Sequence, residues 1–130
     1  LSLILTVEAS AAFDDLTRAG TTEGLNGWPT TFRRGRFVPA VEYLRAQRVR
    51  TLLMKRMAEA TADVDVYVGS PDGGLLTNLT GHPVVCVPNG LARGAGGVEA
   101  PTSLTFTGRL WGEAEVLAVA KAYQDATGHH

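Results

Sequence analysis

A single cysteine, Cys86, excludes an intramolecular disulfide, and no cysteine and histidine residues stand at metal-ligand spacing. Neither a disulfide scaffold nor a zinc module is expected, and the sequence calls for no metal and no cofactor. Long apolar runs are missing too. The opening Leu1-Ser2-Leu3-Ile4-Leu5-Thr6-Val7 meets Glu8 early, far short of the roughly 20 apolar residues of a membrane-spanning helix. It has no basic leader of the kind a signal peptide carries, so it reads as the start of a buried helix, with no membrane partner.

What is present is the balance of an ordinary globular chain: 130 residues, 45% hydrophobic, 12 basic against 13 acidic. The charge is unevenly placed. Arg33, Arg34, Arg36, Arg45, Arg48, Arg50, Lys55 and Arg56 lie close together with only Glu42 opposing them, which leaves four basic and twelve acidic residues elsewhere. A stretch that basic needs solvent or a partner surface.

Leu5, Ala9, Ala12, Phe13 and Leu16 recur at helical intervals, so one helix is expected from about Leu3 to Arg18, ended by Gly20. Thr21 to Pro29, with Gly24, Asn26, Gly27 and Pro29, reads as a loop. From Val38 to Ala62 no glycine or proline follows Pro39, and Val41, Leu44, Val49, Leu52, Leu53 and Met57 share a broad face; the expectation is a long helix with an arginine-rich outer side. The spacing then changes. Val64 to Val68 is β-branched and aromatic and stops at Gly69-Ser70-Pro71, a strand. Pro83 to Val87 does not alternate, which suits a strand covered on both faces at the centre of a sheet. Thr102 to Thr107 alternates, with Leu104 and Phe106 on one side. Glu113 to Thr127 closes as a helix striped by Val116, Val119, Ala120 and Tyr123, with Gly128 as its cap.

The fold class is therefore α/β, a small mixed sheet of about three strands flanked by helices. The Val64 and Val84 runs are expected to be parallel, joined by a crossover through Leu75 to Leu79, with the Thr102 run beside them. Gly81 and Gly90 mark sharp turns around the second strand, and Pro83 and Pro88 sit where no ladder donor is needed. Gly94 to Gly97 is a flexible connection, not a phosphate loop, since no Gly-Lys-Ser/Thr ending follows. A strand buried on both faces needs more protein around it than three strands and their helices provide.

Asn78-Leu79-Thr80-Gly81-His82-Pro83, the strand closing in Val87-Pro88-Asn89-Gly90, and Leu104 to Arg109 ahead of Glu113-Ala114-Glu115-Val116-Leu117 together resemble the closing region of amidase-signature enzymes. In that family an Asn-Leu-x-Gly-x-Pro turn feeds a strand ending in Val-Pro-x-Gly, and a strand ending in Gly-Arg precedes a terminal helix. The resemblance covers Asp65 to Thr127 and weakens before it. It implies a hydrolase that cleaves amide carbon-nitrogen bonds through a Ser-Ser-Lys triad, with a Gly/Ser-rich loop supplying oxyanion donors. The serines here, Ser2, Ser10, Ser70 and Ser103, are isolated, and Lys55 and Lys121 have no serine pair nearby. No catalytic residue is assigned in this chain, which is expected to be inactive alone and to be the C-terminal portion, over residues 1–130, of an amidase domain whose catalytic part lies upstream.

Its contribution would then be sheet and funnel wall. Asp72, in the loop Ser70 to Gly74, is a candidate to read a polar substrate group, against the plainer role of a solvated turn aspartate. Arg34 and Arg36 are candidates to pair a substrate carboxylate, against ordinary surface arginines. Asn78 either holds the turn or faces a ligand; as part of the sequon Asn78-Leu79-Thr80 it is discounted, because so short a motif recurs by chance. His82 reads as a turn residue rather than a base, and His129 and His130 as a chain end rather than a metal site. The expected partners are the missing catalytic part of the same fold and a small amide substrate, with a homodimer as a further candidate. A second class of reading is a nucleic-acid-binding or interaction module. As a component of a glutamine-dependent tRNA amidotransferase, the chain would offer Arg45, Arg48 and Lys55 to tRNA, a weaker expectation because Tyr43 is the only aromatic on that helix. A reduced Cys86 is compatible with the cytoplasm, the expected location.

Overall fold

A computed structural model describes residues 2–69, 74–94 and 97–129. The chain divides into two compact units, Leu1–Leu53 and Met54–His130.

The first unit is helical. Helices α1 (Ser2–Ala12) and α2 (Asp14–Arg18) stand where one helix was expected. Phe13 causes the division: at φ −108°, ψ 31° it leaves helical geometry, although its N–H still donates to the Ala9 carbonyl at 3.0 Å. Its ring stacks on Phe32 at 5.1 Å, and Asp14 and Asp15 then open α2 where a helix N-terminus favours negative charge. Helix α3 (Trp28–Gly35) begins inside the stretch Thr21 to Pro29 that reads from the sequence as a loop. In fact Pro29 sits in the first turn of the helix, where its missing N–H has no partner to lose. Phe32 is buried and stacks on Trp28 at 5.7 Å as well. Gly35 is buried against α1, where any Cβ would collide with Ser10 Oγ and stand 2.6 Å from the Thr6 carbonyl. Ser10, buried itself, donates to that carbonyl at 2.5 Å.

Helix α4 (Ala40–Ala60) forms as expected and spans the boundary between the units. Tyr43 and Gln47 on it both donate to the Glu8 carboxylate of α1, at 3.0 and 3.1 Å. Val41, Leu44, Val49 and Leu52 stay exposed, so the apolar face read from the sequence is uncovered.

The second unit holds β1 (Val66–Gly69), α5 (Gly74–Thr80), β2 (Val84–Arg93), β3 (Glu99–Gly108) and α6 (Glu113–Thr127). The sheet order is β1-β3-β2, and both pairings are antiparallel. This corrects two expectations. The sheet is antiparallel throughout rather than mixed, and β3, not β2, is central. Strands β1 and β2 do run in the same direction, with α5 in the crossover, but β3 lies between them. The reason is the hairpin: only a few residues separate β2 from β3, with Gly94 N–H donating to the Val98 carbonyl at 3.0 Å, and so short a link forces antiparallel neighbours. Of the connection expected to be flexible, Ala95 and Gly96 lie outside the described residues. The apolar run of β2 is covered on one side only. Val87 is buried and Val85 partly buried, while Val84 and Cys86 are exposed.

Helix α6 covers that side. Val87, Phe106, Val116 and Ala120 form the core, with Val66, Val85, Leu104 and Tyr123 packed against them, and Tyr123 meets Phe106 edge-on at 5.6 Å. Close approach is possible because residue 108 is glycine, where a Cβ would collide with Val116 Cγ2. A bulge between Pro88 and Leu91 contains Gly90 at φ +90°, and Gly81 at φ +81° ends α5, so both turns read from the sequence exist. Gly128, at φ +66°, caps α6.

Candidate functional site

Among the described residues, no serine is seen hydrogen-bonded to a lysine or a histidine. Ser10 is locked onto the Thr6 carbonyl, Ser103 is exposed on β3, Lys55 is exposed on α4, and Lys121 pairs with Asp125 at 2.7 Å. Of the residues proposed to read a substrate, Asp72 lies outside the described residues, as does Ser70. Asn78 is exposed within α5, in a helix rather than a turn. Arg34 is exposed in the last turn of α3, where a cation suits the helix C-terminus. Arg36, just beyond that helix, is engaged by the Asp14 carboxylate. Arg18 also holds Asp14, at 2.5 Å, and this hydrogen bond is the main reason the Asp14 carboxyl lies below its ordinary pKa.

A further grouping of polar residues lies elsewhere, around His82, which the sequence reads as a turn residue, and Arg109, which it reads as the end of a strand. A pocket of about 220 Å³ in the second unit is lined by Ala58, Thr61, Ala62, His82, Arg109 and Leu110. Gly81 delivers His82 from the end of α5 into a buried position, 6% exposed, and Pro83 then leads into β2. Burial lowers the His82 pKa from its ordinary value, so the ring is neutral at neutral pH. His82 Nδ1 lies 2.8 Å from Thr80 Oγ1, and that oxygen lies 2.9 Å from the Leu76 carbonyl. A hydroxyl has one proton to give. That proton goes to a backbone carbonyl or to Nδ1, and the imidazole tautomer follows from which. No buried side-chain nitrogen or oxygen among the described residues lacks a hydrogen-bond partner.

Arg109 follows the end of β3. Its N–H is held by the Asp65 carbonyl at 3.2 Å, and its guanidinium touches Asp65 at 3.3 Å and Glu115 at 3.2 Å. Glu115 lies below its ordinary pKa, first because its carboxylate accepts from its own backbone N–H in the first turn of α6, then through Arg109. Two carboxylates thus face one guanidinium. The sequence signals were the His-Pro step after Gly81 and the Gly-Arg ending of β3, but neither indicates burial.

No protein-family model matches the chain, and no solved structure matches it. Curated relatives do. The A subunit of glutamyl-tRNA(Gln) amidotransferase from Bacillus licheniformis is 32% identical over 110 aligned positions, which take in 68% of this chain and 22% of that protein. The proteins of the same name from Methylobacillus flagellatus and a Janthinobacterium are each 29% identical over the same length, covering 22% and 23% of those proteins. The chain thus spans about a fifth of the length of the curated relatives it matches. Among the described residues no helix is long and apolar enough to cross a membrane.

Proposed function

We propose that the chain is a portion of an amidase-signature protein, a cytoplasmic hydrolase of amide carbon-nitrogen bonds whose Ser-Ser-Lys residues lie outside these 130 residues. The observation that carries this reading is the similarity to the amidotransferase A subunits over 68% of the chain. The scattered serines and lysines support the second half of it. With Ser10 bonded to the Thr6 carbonyl and Lys121 paired with Asp125, neither is part of a serine–lysine pair within the roughly 3 Å that general-base activation needs. The role left to the chain is structural: an antiparallel sheet backed by α6, with loops that complete a substrate funnel, Asp72 and Asn78 reading polar groups and Arg34 and Arg36 a carboxylate.

The names of the relatives favour a second, narrower reading, the A subunit of a glutamine-dependent tRNA amidotransferase. Arg45, Arg48 and Lys55, all exposed on α4, would then meet RNA phosphate. The test is a chimera in which this chain replaces the matching fifth of the Bacillus licheniformis protein. Glutamine and simple aliphatic amides are offered to the chimera and to the 130-residue chain alone, and both are treated with a serine-directed fluorophosphonate. Hydrolysis and labelling by the chimera only are expected. Labelling and turnover by the short chain would overturn the reading.

A further inference from the structure

We infer that Asn26 is a site of spontaneous deamidation, with water as the only co-reactant, and that Asn89, which shares its sequence signal, is protected by the fold. Asn26-Gly27 and Asn89-Gly90 are the places where asparagine precedes glycine; Asn78 precedes Leu79. A glycine on the C-terminal side has no side chain to shield its backbone nitrogen. That nitrogen stands beside the asparagine side chain and attacks its Cγ. The N–Cγ bond forms, the Cγ–Nδ2 bond breaks, and Nδ2 leaves as ammonia with the proton that the backbone nitrogen gives up. Water then opens the cyclic imide. Cleavage of the new N–Cγ bond yields aspartate, and cleavage at the backbone carbonyl yields isoaspartate, whose main chain runs through the side chain.

The signal is the same at both places, and the structure separates them. Asn26 and Gly27 are exposed, in a stretch outside any helix or strand. Trp28 N–H donates to the Leu25 carbonyl at 3.0 Å, which closes a turn over the pair and leaves its central peptide unbonded. Among the described residues the Gly27 N–H donates to no carbonyl, and the Asn26 carboxamide has no hydrogen-bond partner. Asn26 holds φ +49°, a left-handed conformation that asparagine adopts more readily than most residues. Neither partner of the attack must break a hydrogen bond before the two meet. Asn89 is tied down. Its Oδ1 accepts from the Tyr123 hydroxyl, and the Thr102 hydroxyl lies 3.2 Å from its carbonyl and from that of Gly90. Strand pairing on either side, Pro88 with Ser103 and Leu91 with Pro101, holds the backbone that ring closure must turn.

The test incubates the whole 130-residue chain in ¹⁸O-water at neutral pH, folded and in guanidinium chloride, and maps its peptides by mass spectrometry with aspartyl and isoaspartyl forms separated. In the folded chain Asn26 is expected to convert about tenfold faster than Asn89, with ¹⁸O in the new carboxylate and isoaspartate among the products, a form that direct hydrolysis of the side-chain amide does not give. In denaturant the two should convert at similar rates, because the fold is what tells them apart. Gly27, at φ −84°, has nothing within 4 Å of where a Cβ would stand, so Gly27→Ala keeps the turn. By shielding the nitrogen it should slow conversion of Asn26 about tenfold, in denaturant as well as in the folded chain. Equal rates at Asn26 and Asn89 in the folded chain, aspartate without isoaspartate at residue 26, or a wild-type rate in Gly27→Ala would each overturn the proposal. None of these readings depends on the chain's part in an amidase.

Discussion

The two units solve the same problem, a small core, with different materials. Unit one joins helices through stacked rings, Phe13 on Phe32 on Trp28, and through a glycine that lets α3 lie against α1. Of these rings only Phe32 is buried; Phe13 and Trp28 remain almost half exposed. Unit two lays a helix on a sheet around Phe106 and Val116 and also buries Thr77, Thr80, His82 and Thr107, of which Thr77, Thr80 and His82 are hydrogen-bonded through their side chains. Stacked rings tolerate shifts, whereas a buried hydrogen-bond network admits one geometry. The second unit is therefore the part that can hold a site of fixed chemistry, and it is where His82 and Arg109 meet a pocket.

The largest test of this contrast removes one ring from each unit. Phe106→Ala should cost about 3–5 kcal/mol, because the cavity lies between a sheet and a helix that cannot both close in. Phe32→Ala should fall near the bottom of that range, since its half-exposed neighbours can collapse into the space. The tryptophans separate the readouts. Trp28 fluorescence follows the first unit in a urea titration, while Trp111, 90% exposed, changes little, so hydrogen exchange of the β3 amides follows the second. Equal losses in the two units would break the contrast.

A smaller effect, about 1–3 kcal/mol of overpacking, is expected for Gly35→Ala and Gly108→Ala, and their rescue should differ. At residue 108 the obstruction is a side chain, Val116 Cγ2, with the nearest backbone atom at 3.1 Å. Val116→Ala should therefore recover part of the Gly108→Ala loss in a double-mutant cycle. At residue 35 the Thr6 carbonyl stands at 2.6 Å behind the Ser10 side chain. Ser10→Gly should fail to rescue Gly35→Ala, because backbone of α1 remains in the way. Thermal denaturation of the four single and two double variants decides it.

How much of this was legible follows from range. Helix α4, α6 and its Gly128 cap, and β3 with Leu104 and Phe106 on one side are local patterns, and local patterns survive in a sequence. Helix α3 was lost because eight residues with a proline near the start carry too little periodicity to outweigh turn chemistry. The break at Phe13 depends on a ring nineteen residues away, and the central place of β3 on a hairpin that imposes antiparallel pairing. The site was the least legible part. His82 and Arg109 were visible as residue types, but the burial of one and the two carboxylates on the other are set by chain segments that meet only in the fold. Asn78, by contrast, reads from its company as either holding a turn or facing a ligand, and it lies exposed in a helix.

The gentlest perturbation is pH, and it should separate the units without any mutation. The histidines of the chain are His82, His129 and His130, so the first unit has none. Burial lowers the pKa of His82 in the folded state below its ordinary value of 6.5. Between the lowered value and 6.5 the unfolded chain binds a proton that the folded one refuses, so stability rises with pH across that window. His82 thus contributes fully above pH 6.5, and the contribution is lost as pH falls through the folded value. Unit one has its own window lower down. The Asp14 pKa, depressed mainly by the Arg18 hydrogen bond from its ordinary value of 3.8, gives a contribution present above that value and lost only as pH falls below it. Acidifying from pH 7 to 5 should therefore speed hydrogen exchange in β3 and α6 while Trp28 fluorescence holds steady, and His82→Asn should flatten the first response. Loss of Trp28 signal in the same window would mean that the first unit senses the protonation of a histidine it does not contain, and the two could no longer be treated as independent in stability.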